Sequence, residues 1–128
     1  MKVIIKPNFM LGQVVKHKYL GFRGVIFDVD PEFSNTEEWY QSIPKDIRPK
    51  KDQPFYHLFA ENDEICYTAY VSQQNLLPDN SNQPVSHPEI KENFGNFKGK
   101  TYELLKQTLI MKITNIIIFS NNCMRLII

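Results

Sequence analysis

The chain has 128 residues, of which 42% are hydrophobic and 23% are charged. This composition excludes a disordered chain, and the length corresponds to one domain, with or without a tail. Fifteen Lys and Arg side chains against fourteen Asp and Glu give a formal net charge of +1, so total charge neither supports nor excludes a nucleic-acid partner. No apolar run approaches the roughly 18 residues of a membrane span, so we expect a cytoplasmic protein without a membrane partner.

Charge is unevenly distributed along the chain. Residues 1–27 carry five basic side chains and no acid, and residues 28–44 carry five acids and no base. A mainly basic stretch follows at 45–51. Two interpretations are open: an ordinary surface with interspersed charges, or a basic patch for phosphates or an acidic partner.

Hydrophobic periodicity predicts four main strands, over Val14–His17, 24–30, Phe55–Ala60 and 65–72. In the second of these, Val25, Phe27 and Val29 should share one face, with Asp28 and Asp30 on the other. The last two strands form the clearest hairpin, since they are aromatic and β-branched. The predicted fold is therefore mainly β: a small SH3-like antiparallel barrel with a long loop and a short C-terminal helix.

The long polar loop runs over 33–54 and contains three prolines. A capping pattern predicts one or two helical turns over 36–40. A second short helix is predicted from about residue 86 to 94, because Pro88 and Glu89 suit a helix N-terminus. Loops of this length inside a compact domain are usually functional or mobile.

Several stretches, in order and at sensible spacings, resemble the HspQ family, also called YccV-like or hemimethylated DNA-binding domain proteins. They are LGQVVKH at 11–17, GFRGVIFDVDP at 21–31, QPFYHL at 53–58, AYVSQQNL at 69–76 and HP at 87–88. The resemblance covers residues 10–94. It leaves an N-terminal extension of 1–9 and a non-family C-terminal extension of 95–128, whose end is apolar enough to be a sticky or partner-binding tail.

The resemblance implies a cytoplasmic heat-shock protein that binds hemimethylated DNA and promotes degradation of certain proteins as an adaptor for a Lon-type protease. Its partners would be hemimethylated DNA, the Lon-type protease and the protease's substrates, and a homo-oligomer is compatible with it. The alternative is a purely DNA-binding regulator of replication-initiator expression without adaptor activity. The family brings no catalytic residues and no cofactor, so we expect no enzyme activity.

Candidate DNA-binding residues are the basic side chains near the first turn and on the long loop: Lys16, Lys18, Arg23, Arg48, Lys50 and Lys51. They form a phosphate-binding patch if the two loops share one side of the barrel. Discrimination of a methylated base also needs an apolar contact in the major groove, and no residue is assigned to that role here.

Candidate partner-binding residues are the aromatic side chains of the long loop, Phe33, Trp39 and Tyr40. Trp39 either packs back onto the barrel or stays exposed as an anchor for a protein partner, since Trp and Tyr dominate interface hot spots. Asp28 and Asp30 have the D-x-D form of some cation sites, but two carboxylates are too few for such a site, and a solvated strand end is the better interpretation. We therefore predict no metal site.

Overall fold

The computed structural model describes residues 4–62 and 66–105, together with the backbone of residues 124–127. Within these residues the chain is mainly β, which confirms the predicted fold class. The strands are β1 (Val14–His17), β2 (Arg23–Asp30), β3 (Phe55–Ala60), β4 (Tyr67–Ser72), β5 (Leu76–Pro78), β6 (Phe94–Phe97), β7 (Tyr102–Leu104) and β8 (Met124–Ile127). The helices are α1 (Glu37–Ser42) and α2 (Ile90–Asn93), with 3₁₀ turns at Lys45–Ile47 and Gln73–Asn75.

Six strands form one sheet in the order β5-β1-β2-β3-β4-β8, and β6 and β7 form a separate hairpin. All pairings in the large sheet are antiparallel except that of β4 with β8. β4 and β5 are not hydrogen-bonded neighbours, yet only the 3₁₀ turn Gln73–Asn75 separates them along the chain. The sheet must therefore curl until these strands approach. The sequence predicts a barrel, and the structure has a curled sheet that is not closed by hydrogen bonds.

A β-bulge in β2 corrects the predicted alternation of this strand. Ile26 is opposite Leu58 and Asp28 is opposite His57, so Phe27 is an extra residue on the β2 side. Beyond the bulge the faces are exchanged. Val29 consequently packs in the inner cluster with Ile26, rather than with Val25 and Phe27 as predicted.

The concave face of the sheet encloses an inner core, and its outer face is covered at two places. The inner core contains Val15, Ile26, Tyr56, Leu58, Ala60, Ala69, Val71 and Leu76. Residues from 85 to 102 cover one part of the outer face, packing onto Val14, Val25, Phe27 and Phe59. The long loop covers another part by packing Ile43 against Phe55 and Tyr70. The loop is thus part of the hydrophobic core.

The C-terminal cover is tied to the start of the sheet by backbone hydrogen bonds. The Tyr102 N–H donates to the Gly12 carbonyl at 2.8 Å, and the Val14 N–H donates to the Lys100 carbonyl at 2.9 Å. Helix α2 is shorter than the predicted helix, and β6 begins directly after it. The apolar tail predicted within the C-terminal extension falls mostly on residues 106–123. These residues lie outside the described part of the chain. No helix among the described residues is long and apolar enough to span a membrane.

His87 joins α2 to β4 as a neutral imidazole. Its Nε2 lies 2.8 Å from the Tyr67 carbonyl oxygen, and its Nδ1 accepts the Glu89 N–H at 3.1 Å. Burial lowers the pKa of the His87 imidazole, and the Tyr67 carbonyl opposes that shift. The folded chain therefore binds fewer protons at this site than the unfolded chain.

We expect the free energy of unfolding to fall as pH drops below about 6.5, the ordinary histidine pKa, because protonation then favours the unfolded chain. Urea unfolding from pH 7.5 to pH 5 measures this loss in the wild type and in His87→Gln. The variant should show a shallower pH dependence over that window. Parallel curves for the two proteins would contradict the assignment.

Two glycines with positive φ allow a matched test of the C-terminal cover. Gly12 has φ +82°, and an added Cβ would lie 2.5 Å from the Tyr102 carbonyl oxygen. Gly21 has φ +76°, and an added Cβ would meet nothing within 4 Å.

Alanine costs about 1–2 kcal/mol at either position for its backbone conformation, but only Gly12→Ala must also displace β7. We expect Gly12→Ala to lower stability more than Gly21→Ala in thermal melts; equal losses would show that β7 does not pack there.

Candidate functional site

The 3₁₀ turn Gln73–Asn75 brings together two segments that are far apart in the sequence. The Asn75 carbonyl accepts the Lys18 N–H at 2.8 Å, which fixes the turn between β1 and β2. The Asn75 side chain donates to the Ile47 carbonyl at 2.8 Å, which fixes the long loop. Asn75 is fully buried, and both bonds satisfy its polar groups. The two predicted basic segments therefore share one side of the sheet.

The glutamines of the same turn also bond the backbones of these two basic segments. The Gln74 side-chain oxygen accepts the Lys50 N–H at 3.3 Å, and the Gln73 side chain donates to the Lys6 carbonyl at 3.1 Å. Lys6, Lys18 and Lys50 have exposed side chains around this turn. Lys16 is also exposed on β1, opposite Leu77 of β5. We call these four residues the lysine face.

The remaining three basic candidates bond other groups of the same chain. Arg23 pairs with Glu61 at 2.9 Å and Asp79 at 3.3 Å, its side chain is 17% exposed, and it also bonds the Gln83 carbonyl. It therefore clamps the 79–84 loop to β2. Arg48 donates to the carbonyls of Ile43 and Gln41, each at 2.8 Å.

Lys51 closes the long loop onto α1. Its ammonium bonds the Glu37 carboxylate and lies 4.5 Å from the Tyr40 ring centroid. The hydrogen bond from Lys51 lowers the pKa of the Glu37 carboxyl. This ammonium is oriented toward the loop, while the lysine face points to solvent.

The aromatic candidates of the long loop divide into two groups. Phe33 packs edge-on against Phe55 at 5.2 Å, and the Tyr40 hydroxyl donates to the Pro49 carbonyl at 2.6 Å. Both hold the loop on the sheet. Trp39 lies on α1 and is 37% exposed. The packing of its neighbours holds α1 in place, so Trp39 is presented from a fixed helix.

The tip of the β1–β2 turn carries two exposed apolar side chains, Tyr19 and Leu20, which are 58% and 55% exposed. The sequence analysis did not select them. The available signal was their position: two apolar residues between Lys18 and Gly21, in a turn where polar residues are usual.

Asp28, Asp30 and His57 meet on the outer face of the sheet, and their donor atoms lie within 4.8 Å of one another. Carboxylate and imidazole are ligands for divalent transition metals, so among the described residues this set could hold one. Asp30 is already engaged, since its Oδ2 lies 3.1 Å from His57 Nε2 and accepts the Tyr70 hydroxyl at 2.7 Å. Burial, reinforced by Asp30, raises the pKa of Tyr70. The network is thus a hydrogen-bonded connection between β2, β3 and β4.

Comparison with known proteins places most of the chain in one family. The family described as "Hemimethylated DNA-binding protein YccV like" matches residues 7–101. Over 95 residues, the chain is 34% identical to F-box only protein 21 of Mus musculus and 33% identical to the proteins of that name from Pongo abelii and Homo sapiens. These alignments cover 73% of this chain and 15% of each relative. The chain therefore corresponds to a small part of those larger proteins.

Proposed function

The chain belongs to the YccV-like family of hemimethylated DNA-binding proteins, and we propose that it binds duplex DNA through the lysine face. The observation that carries this proposal is that the backbones of Lys6, Lys18 and Lys50 are all hydrogen-bonded to the one 3₁₀ turn Gln73–Asn75. The function is one of binding, without a catalysed reaction.

Charge supports this surface as a phosphate-binding site. Residues 1–27 supply three of the four lysines and contain no acid. Exposed ammonium groups neutralise phosphates and release counterions, which supplies sequence-independent affinity. Because the backbones of Lys6, Lys18 and Lys50 are hydrogen-bonded to one turn, the spacing of these backbones is fixed before DNA arrives. Such contacts position a protein on the duplex but carry no sequence information.

The salt dependence of DNA binding tests the lysine face. The slope of log K against log salt concentration is negative, and each lost phosphate contact reduces its magnitude by about 0.9. We expect the triple change Lys16→Ala, Lys18→Ala and Lys50→Ala to reduce that magnitude by up to about 2.7, measured by fluorescence anisotropy from 50 to 200 mM salt.

The matched control removes three exposed lysines of the C-terminal cover, Lys91, Lys98 and Lys100. This control variant should keep the wild-type slope. A triple variant with the wild-type slope would exclude the lysine face as the phosphate-binding site, and equal losses in both variants would indicate only nonspecific charge.

A second function is favoured by the exposed Trp39. We propose that the chain also acts as an adaptor for a Lon-type protease in the heat-shock response, which assigns it to the cytoplasm. A Trp presented from a fixed helix loses little conformational freedom on binding, and Trp is typical of interface hot spots. The alternative is a DNA-binding regulator without adaptor activity.

Trp39→Ala tests the adaptor function. Because Trp39 is partly exposed, we expect the melting temperature of the variant to stay near the wild-type value. We expect its affinity for the protease or the protease's substrate to fall at least about fivefold, ~1 kcal/mol. Stimulated degradation by a purified Lon-type protease gives the readout, and Trp39→Phe should retain part of it.

The control for packing is Ile43→Ala, which empties a buried position of the same loop and should cost about 2–5 kcal/mol of stability. Unchanged stimulation by Trp39→Ala would place the partner site elsewhere. A melting temperature lowered as much as in Ile43→Ala would make Trp39 a packing residue.

A further inference from the structure

The β1–β2 turn is held rigid by a buried histidine. His17 Nδ1 accepts the N–H groups of Tyr19 at 3.1 Å and Leu20 at 3.0 Å. The His17 ring is fully buried and stacks on Phe22 at 5.3 Å. The Gly21 N–H returns to the His17 carbonyl at 3.0 Å. The backbone of the turn is therefore fixed from inside the domain.

The side chains on this fixed turn point outward. More than half of Tyr19 and of Leu20 is exposed, so burial in the domain does not account for their apolar character. They follow Lys18 directly, and the Lys18 ammonium lies 5.8 Å from the Tyr19 ring centroid. An apolar tip beside cationic groups is complementary to a polyanion that also offers apolar contacts.

Base methylation provides such an apolar contact on DNA. A methyl group on adenine N6 or cytosine C5 projects from the major-groove edge of the base pair, as the thymine methyl does, and apolar side chains recognise it there. A turn that projects from the protein can enter this groove while neighbouring lysines bind the flanking phosphates. A hemimethylated site presents one such methyl group.

We propose that Tyr19 and Leu20 form the specificity-determining contact of the lysine face, entering the major groove and packing on the methyl group of a hemimethylated duplex. This inference rests on the proposed DNA binding. His17 is a positioning residue that sets the direction of the two side chains. Phosphate affinity and methyl discrimination are thereby assigned to different residues of one surface.

The experiment compares the full chain with a double variant, Tyr19→Ala and Leu20→Ala, on three duplexes of one sequence. One duplex is unmethylated, one is hemimethylated at adenine N6 and one is hemimethylated at cytosine C5. Burying a single methyl group favours binding by about fourfold. We expect the wild type to prefer one methylated duplex by about that factor, and the double variant to lose the preference while keeping its salt slope.

Two controls separate folding from recognition. Both side chains are exposed, so the double variant should melt close to the wild type, and Tyr19→Phe with Leu20→Met should restore the preference by restoring apolar surface. The pair Leu104→Ala and Leu105→Ala removes two partly exposed apolar side chains from the C-terminal region and should leave the preference intact.

The outcomes distinguish this inference from the proposed function. Salt-dependent binding without any methyl preference in the wild type overturns the inference and leaves DNA binding in place. A double variant that retains the preference, or that loses affinity equally for all three duplexes, also overturns it. A wild type that binds none of the duplexes overturns both.

Discussion

The 3₁₀ turn Gln73–Asn75, with its buried Asn75, is the constraint on which the rest of this structure depends. It connects β4 to the edge strand β5, which lies four positions away in the sheet, and so requires the sheet to curl. Asn75 then uses its backbone carbonyl for the β1–β2 turn and its side chain for the long loop. Buried polar groups of this kind must be satisfied, and satisfying them here fixes the relative position of two loops. The shape of the exposed surface is thereby determined from inside.

This arrangement divides the cations of the chain between two tasks. Arg23, Arg48 and Lys51 meet carboxylates, carbonyls and aromatic rings of their own domain, and they hold the 79–84 loop and the long loop in place. Of the lysine face, Lys6, Lys16 and Lys18 lie within residues 1–27, which contain no acidic side chain, and Lys50 lies between Asp46 and Asp52 in the sequence. Arginine suits the internal task because its planar fork satisfies several acceptors at once, whereas a lysine ammonium remains strongly hydrated at the surface.

Local patterns predicted much of the fold and only part of the site. β1 and β3 have the predicted bounds because alternation and β-branched or aromatic residues act over a few positions. The predicted face for Val29 was wrong because the β-bulge depends on pairing with the partner strand, and hydrophobic periodicity in one strand does not reveal that pairing. The internal use of Arg23 also depends on residues about 40 to 60 positions away. The role of Tyr19 and Leu20 could not be predicted from the sequence, because it depends on the buried His17 that holds their backbone.

The hydrogen bond from the Lys18 N–H to the Asn75 carbonyl connects the 3₁₀ turn to the β1–β2 turn, and the proposed DNA surface requires both. On one side of this bond the 3₁₀ turn sets the positions of the lysines. On the other side His17 fixes the tip that carries Tyr19 and Leu20. A surface ordered before binding loses less conformational entropy when the complex forms. Because Asn75 bonds both loops, it couples the position of the lysines to that of the tip that carries Tyr19 and Leu20.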